Sequence, residues 1–240
     1  MEKLFDKPVV LSIGPQGCGV PWIYDYMKSR EDVCLPSEAR EIFYFDRHFQ
    51  RGPEFYASHF NVEPQHKVVM ELSTTAFDSP EAPDQVFKLL GPDVKLICPL
   101  RNPAERSKAV YADYVRYGLV KGGLEDAVEE VPQILFASRY ADRLEPWLTQ
   151  FGRGNIHVVF YETLERDPAE FTAEFCTLAG LDYRPPQKAG LGERLKSLLP
   201  RKKQPDLSLS RHEQNWLKNR LQPEIQQLEK LLNINLTIWK

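Results

Sequence analysis

No stretch of this 240-residue chain is long and apolar enough to cross a bilayer; its longest apolar runs have the length of β-strands. An excess of one charge is also lacking. The 31 Lys and Arg against 34 Asp and Glu leave a net charge of −3, which argues against a general nucleic-acid binder. Only four cysteines occur, Cys18, Cys34, Cys98 and Cys176, with no CxxC pair and no histidine at ligand spacing. Zinc is therefore not expected, and reduced thiols in a cytoplasmic protein are the simplest reading. The opening residues, Met1 to Pro8, hold no apolar core of a signal peptide. No Ser/Gly-rich linker and no internal repeat interrupts the chain, so residues 1–240 are read as one domain.

The chain does contain regular alternation. Short apolar runs predict strands at Pro8–Ile13, Lys67–Glu71, Lys95–Leu100 and Asn155–Tyr161. Helices are predicted between and after them, at Pro21–Ser29, Pro53–Phe60, Pro83–Leu90, Pro103–Tyr117, Pro132–Phe151, Pro168–Ala179 and Ser210–Leu232. Six of the seven begin at proline, whose missing N–H costs nothing in a first helical turn. Residues Val120–Val131 and Gly190–Leu209 read as loop-rich. Strands alternating with helices over this length predict an α/β fold around a central parallel sheet. Ligands of such folds sit outside the carboxyl ends of the strands, which selects Gly14–Gly19, Glu71–Phe77 and Arg101–Pro103 as neighbours.

Gly14-Pro15-Gln16-Gly17-Cys18-Gly19-Val20-Pro21 joins the first strand to the first helix. A glycine turn there aims backbone N–H groups at an anion, or is simply a tight βα turn. Gly14 and Gly19 have the spacing of a Walker loop, but Val20 and Pro21 stand where its Lys and Ser/Thr belong. A kinase or ATPase of that class is disfavoured. Arg101, directly after a strand, is placed either to fork onto a phosphate or to pair with a nearby acid. Glu41 lies among Arg40, Phe43, Phe45, Arg47 and His48. It is either a carboxylate tuned by desolvation toward a general base, or part of a surface loop anchored by its aromatics. Arg194, Lys196, Arg201, Lys202 and Lys203 form a late basic run, a solvated loop or a cationic lid.

Taken in order, these segments resemble the sulfotransferases that use 3′-phosphoadenosine 5′-phosphosulfate (PAPS), especially the bacterial and heparan-sulfate-type branch. Gly14–Gly19 lies where that family has its 5′-phosphosulfate loop. Arg40-Glu41-Ile42-Phe43-Tyr44-Phe45 is similar to its Lys-Glu-x-x-Phe-Phe segment, and Arg51-Gly52-Pro53-Glu54-Phe55-Tyr56 to the continuation. Glu71–Asp78 resembles a Glu-Lys-Ser/Thr stretch, Arg101–Arg106 the 3′-phosphate segment, and Tyr140, Leu144, Trp147, Tyr161–Leu164 and Asp167-Pro168 the later scaffold.

The resemblance implies a P-loop-like three-layer sandwich and sulfuryl transfer from PAPS to a hydroxyl or amine of a carbohydrate, lipid or other small acceptor. PAP is the implied product, and no metal is implied. Glu41 would be the acceptor base, Arg40 a contact to sulfate or 5′-phosphate, and His48 an auxiliary. Pro15, Gln16, Gly17, Cys18, Gly19, Val20 and Pro21 would line the donor loop. Arg101 and Ser107 would serve the 3′-phosphate, while Arg201, Lys202 and Lys203 would close over the nucleotide.

Four family positions are filled differently. Gly17 replaces the loop cation, Val20 and Pro21 two hydroxyls, Leu72 a lysine, and Ala109 a serine, with Ser107 two positions earlier. All four concern the donor. Each lost charged contact to a developing oxyanion costs about 3–4 kcal/mol of transition-state stabilisation. Arg40 or Arg47 is the expected replacement cation. The alternative is a sulfotransferase-fold protein that has lost transfer and binds a nucleotide or a partner.

Overall fold

A computed structural model describes residues 3–185 and 209–239. Five strands form one wholly parallel sheet: β1 (Val9–Ser12), β2 (Val33–Cys34), β3 (Val68–Leu72), β4 (Lys95–Leu100) and β5 (Ile156–Phe160). Their order across the sheet is β2-β3-β1-β4-β5. Val10 pairs with Met70 on one side and Lys95 on the other, so β1 is central. The chain leaves β1 toward β2 and returns past it to β4, which puts the switch of direction at the carboxyl end of β1. That is where a parallel sheet opens a crevice.

The helices are α1 (Val20–Lys28), α2 (Pro53–Ala57), α3 (Ala82–Leu90), α4 (Pro103–Arg116), α5 (Leu124–Glu130), α6 (Gln133–Phe136), α7 (Tyr140–Phe151), α8 (Tyr161–Arg166), α9 (Pro168–Ala179) and α10 (Arg211–Leu232). Alternation along the strands sends residues to two layers. Val10, Val68 and Met70 pack with Trp22, Ile23, Tyr26, Phe171 and Phe175 of α1 and α9. Leu11, Ile13 and Val69 face an aromatic core holding Tyr44, Phe45, Tyr56, Phe77, Tyr140 and Trp147. Both faces are covered, so every strand residue of β3 is buried. A third cluster joins α4, α5, α6 and α10 through Val110, Leu124, Ile134, Leu217 and Leu221.

Local chemistry sets the helix starts that matter for the crevice. The Asn102 side chain accepts from the Ala104 and Glu105 N–H groups and caps α4. Asp167 caps α9 in the same way, and Ser210 with Glu213 forms a capping box on α10. On α10, Leu217, Leu221, Ile225 and Leu228 make the buried stripe, flanked by the partly buried Trp216, Leu231 and Leu232. Trp239 docks the C-terminal end by donating its ring N–H to Glu162 at 2.9 Å.

The four predicted strands all form: Lys95–Leu100 as expected, Lys67–Glu71 moved one residue on, and Pro8–Ile13 and Asn155–Tyr161 each shorter by one residue at both ends. Two expectations need correcting. Val120–Val131 is not wholly loop, because α5 occupies Leu124–Glu130 with Glu125 and Asp126 in its first turn. The helix expected over Pro132–Phe151 is broken at Ala137–Arg139, where Ser138 turns inward to bond Arg106 and Ser107. Tyr161–Leu164, read as scaffold, lies in the helix α8. Gly190–Leu209, with its basic residues Arg194, Lys196, Arg201, Lys202 and Lys203, lies outside the described residues except for Leu209.

Candidate active site

The glycine turn is built by close approach. A Cβ on Gly14 would stand 2.3 Å from the Pro99 carbonyl oxygen of β4, so the turn hugs the neighbouring strand. Gly17 and Gly19 have φ of +91° and +87°, values glycine adopts at no steric cost. Among the described residues no backbone carbonyl accepts from the N–H groups of Gly17, Cys18 or Gly19. Three N–H donors at a helix start, free of partners, make a cradle that fits an anion. Gly19→Ala tests this packing. Its Cβ would meet the Tyr161 ring at 2.9 Å at a left-handed φ, so a loss of about 1–3 kcal/mol is expected in chemical denaturation.

Gly17 also explains its own departure from the family pattern. A Cβ there would stand 3.1 Å from Val110 and 3.3 Å from the Arg106 side chain. The turn rests on α4, and a long side chain does not fit that position without moving it. Arg106 fastens the turn. It is 2% exposed, its Nε donates to the Gln16 carbonyl at 2.9 Å, and its Nη1 donates to Ile134 O and Ser138 Oγ at 3.1 Å each.

The sequence-selected loop residues divide into two groups. Gln16 and Pro21 are exposed and Gly17 and Gly19 half-buried, while Pro15, Cys18 and Val20 are buried. Burial pushes the Cys18 thiol up to about 12, so only its backbone serves the cradle. Ser107 is wholly buried, and its hydroxyl is bonded to Ser138 at 2.8 Å inside the α4–α6 contact.

Arg101 stands at the carboxyl end of β4, beside Asn102. Its guanidinium lies 4.5 Å from the centre of the Tyr161 ring, and Nη2 is 3.7 Å from Glu165. Both readings of the sequence survive here: the guanidinium is at the strand end, and a weak acid contact braces it. The same recess is lined by Glu105, Glu162 and Glu165.

Glu41 is brought to the same end of the sheet through Thr74. The Thr74 hydroxyl donates to the carboxylate at 2.8 and 2.9 Å, and the Thr74 N–H at 3.2 Å. Thr74 is tied to the crevice because the adjacent Ser73 N–H donates to the Ser12 carbonyl at the end of β1. Burial raises the Glu41 pKa, Asp46 adds to this, and Thr74 and Arg40 oppose it. The result is a half-buried carboxylate more basic than usual yet held in one orientation.

The guanidinium of Arg40 lies 4.6 Å from the Tyr24 ring centre, beside α1. Arg47 instead folds over Phe43 at 4.5 Å and donates to Asp46. Its position leaves Arg40 as the better placed of the two expected replacement cations. His48 is half-buried with its ring edge against Phe55.

Residues 41–48 have an unusual backbone. Phe43 has φ +55°, and Tyr44–His48 form a π-helical turn. Strained non-glycine residues and π turns concentrate at functional sites. Sequence inspection missed two groups here. Glu71, on β3, is wholly buried and accepts from the Tyr56 hydroxyl at 2.8 Å; Arg106 holds the turn. Both lay inside segments singled out earlier, and a charged residue in an apolar strand was the signal available for Glu71. Among the described residues, no group of three or more His, Cys, Asp or Glu is arranged to hold a metal ion, and no helix is long and apolar enough to cross a membrane.

Comparisons with known proteins agree with this geometry. Residues 7–198 match the family model described as the sulfotransferase domain. The bifunctional heparan sulfate N-deacetylase/N-sulfotransferase 2 of Bos taurus is 28% identical over 190 residues, covering 70% of this chain and 21% of that protein. The human heparan sulfate glucosamine 3-O-sulfotransferase 6 is 29% identical over 177 residues, covering 68% of this chain and 49% of the relative. The chain therefore spans from about a fifth to about half of the length of these curated relatives. Among solved structures, a sulfotransferase from Alicyclobacillus acidocaldarius superimposes with a TM-score of 0.80 at 18% identity, covering 98% of this chain and 99% of the other. The mouse sulfotransferase SULT7A1, complexed with PAP, gives a TM-score of 0.52 at 14% identity over 99% and 87% of the two chains.

Proposed function

We propose, because this chain belongs to the sulfotransferase domain family, that it moves a sulfuryl group from PAPS to a hydroxyl or amine of a carbohydrate, lipid or other small acceptor. The observation that carries this reading is the meeting of two unlike groups at one end of the sheet. A turn with free N–H donors follows β1, and a basic, oriented carboxylate, Glu41, hangs from Thr74 after β3.

The donor fits the residues present: free amides for the 5′ end, and Arg101 near the start of α4 for the 3′-phosphate. When bound, PAPS supplies the sulfuryl group and a phosphate leaving group. Glu41 would take the proton of the acceptor hydroxyl or amine. The Gly17–Gly19 amides would hold charge on the leaving phosphate, and Arg40 would add the cation that the turn lacks. Preorganised donors of this kind are the largest contributors to such reactions. Four free, buried thiols accord with a cytoplasmic setting.

A second reading rests on a specific observation. Arg101 is already near Glu165, and Gly17 packs on α4 where the family has a cation. On that reading the fold binds a nucleotide without transferring sulfate. Thermal shift with PAP, ATP and AMP tests the site first. A rise in Tm with PAP alone is expected, and no response to PAP removes both readings. Transfer of labelled sulfate from PAPS to an acceptor panel then separates them, since binding without transfer leaves only the second.

A further inference from the structure

Arg101 has a fixed backbone and an uncommitted head. The Tyr140 hydroxyl donates to its carbonyl at 2.8 Å. The next residue, Asn102, donates its N–H to Glu162 at 2.7 Å and its side-chain amide to the Trp239 carbonyl at 3.2 Å. The end of β4 is thereby held, and the guanidinium is the part left to answer a ligand. It lies against the Tyr161 ring, the same ring that a Cβ on Gly19 would meet at 2.9 Å. The glycine turn and Arg101 thus flank one aromatic side chain. The acid paired with Arg101 is Glu165 of α8, at 3.7 Å, too far for a hydrogen bond. It is the one ion pair of Arg101 among the described residues, although the arginine side chain is only 13% exposed.

The recess that Arg101 lines has a volume of about 420 Å³ and holds three carboxylates, Glu105, Glu162 and Glu165. They are not equivalent. Glu162 accepts with both oxygens, from the Asn102 N–H and from the Trp239 ring N–H at 2.9 Å. Glu105 stands 3.9 Å from Lys108, and both are exposed. Glu165 is the one of the three paired with Arg101, and at 40% exposed it has water to swing into.

We propose that Glu165 is a built-in competitor at the donor site: it is the counter-ion of Arg101 until the 3′-phosphate of the nucleotide displaces it, and it thereby sets donor affinity. The inference rests on the PAPS reading for the identity of that phosphate; the competition itself concerns only Arg101 and Glu165. A phosphate can take a guanidinium through two parallel hydrogen bonds, whereas Glu165 stands outside hydrogen-bond range. The phosphate wins, but it binds only the fraction of molecules in which Arg101 is free, and its apparent affinity is reduced by that fraction. Once displaced, the carboxylate remains on the rim of the recess as a like charge beside the ligand, which weakens binding again. Burial raises the Glu165 pKa and Arg101 opposes the rise, while Glu162 and Glu105 add to it. The contact with Arg101 therefore does not offset the cost of holding this carboxylate in the recess, as expected of a partner that yields.

Calorimetric titration of PAP into the wild type and into Glu165→Gln tests this. Glutamine keeps the size of the side chain and removes its charge. The Kd for PAP should fall by roughly two- to tenfold, the range for a partly exposed ion pair together with a like charge next to the ligand. A change of less than about twofold, or weaker binding, overturns the proposal. Glu105→Gln is the control for net charge. It removes a carboxylate from the same recess and leaves the Arg101 pair intact, so its effect should be smaller. An equal gain in Glu105→Gln also overturns the proposal, because competition for Arg101 would then play no part. Inorganic phosphate, followed by NMR at the Arg101 side-chain N–H, reads the same competition without a nucleotide, and it should bind Glu165→Gln more tightly than the wild type. If PAP binds neither protein while phosphate shows this difference, the donor reading fails and the Glu165 assignment stands. If PAP binds both proteins equally, the donor reading stands and the Glu165 assignment fails. If neither ligand distinguishes the two proteins, Glu165 has no such role.

Discussion

On the proposed transfer reading, Glu41→Gln is expected to lower sulfuryl transfer by roughly 100- to 10,000-fold, the range that a positioned general base contributes. Glutamine keeps an oxygen for the Thr74 hydroxyl and N–H, so the side chain stays oriented, and only the proton acceptor is lost. Nucleotide binding should be preserved, because the turn amides and Arg101 are untouched. The check is paired: turnover with labelled sulfate, and the Tm shift with PAP. A tenfold loss or less would show that the base is elsewhere. Loss of the PAP response together with turnover would show that Glu41 shapes the donor site, contrary to its place beside Thr74. Glu41→Asp separates charge from placement. It restores a carboxylate but shortens the reach to Thr74, so partial recovery is expected.

Arg106→Ala should cost about 3–5 kcal/mol of stability, because truncation orphans several buried acceptors at once. The Gln16 and Ile134 carbonyls, the Ser138 hydroxyl and, at 3.4 Å, the Gln133 carbonyl all depend on this guanidinium. For a chain of this length the Tm should fall by about 6–20 °C. Lysine will not substitute, since a point charge cannot serve acceptors on the turn and on α6 simultaneously. The effect reaches the donor site because Gln16 belongs to the turn. Under conditions where Arg106→Ala remains folded, its response to PAP should be weaker than that of the wild type. Denaturant unfolding measures the first effect and thermal shift the second. A loss under about 1 kcal/mol would mean that water replaces the guanidinium without penalty.

The two variants probe groups of different legibility. Glu41 stood out in the sequence because a carboxylate among aromatics and cations is conspicuous, and the comparison with a family motif gave it a role. Arg106 was quoted within a motif and passed over, because nothing local distinguishes a buried helix arginine from an exposed one. The strands were legible for a simple reason. Lys95–Leu100 and Lys67–Glu71 are continuous apolar runs, and a strand buried on both faces has no polar side to show. The two-residue strand β2 was too short to carry such a pattern, and α5 was hidden behind Gly122-Gly123 and a run of acids. The helical pattern over Pro132–Phe151 continued through Ala137–Arg139, although the chain turns there to present Ser138 to Arg106.

The sequence by itself determined the β–turn–α beginning, the alternation of strand and helix, the proline and cap signals at helix starts, and the candidate base. These depend on interactions within a few residues, and their periods are written along the chain. Only the tertiary structure decided that β1 is central, that Gly17 is pressed against α4, that Ser107 turns to Ser138, and that Glu71 is buried against the Tyr56 hydroxyl. Those outcomes come from desolvation and from close approach between segments far apart in sequence. Glu41 and Thr74 are thirty-three residues apart along the chain, and the carboxylate is oriented only because the fold brings it to the Thr74 hydroxyl and N–H.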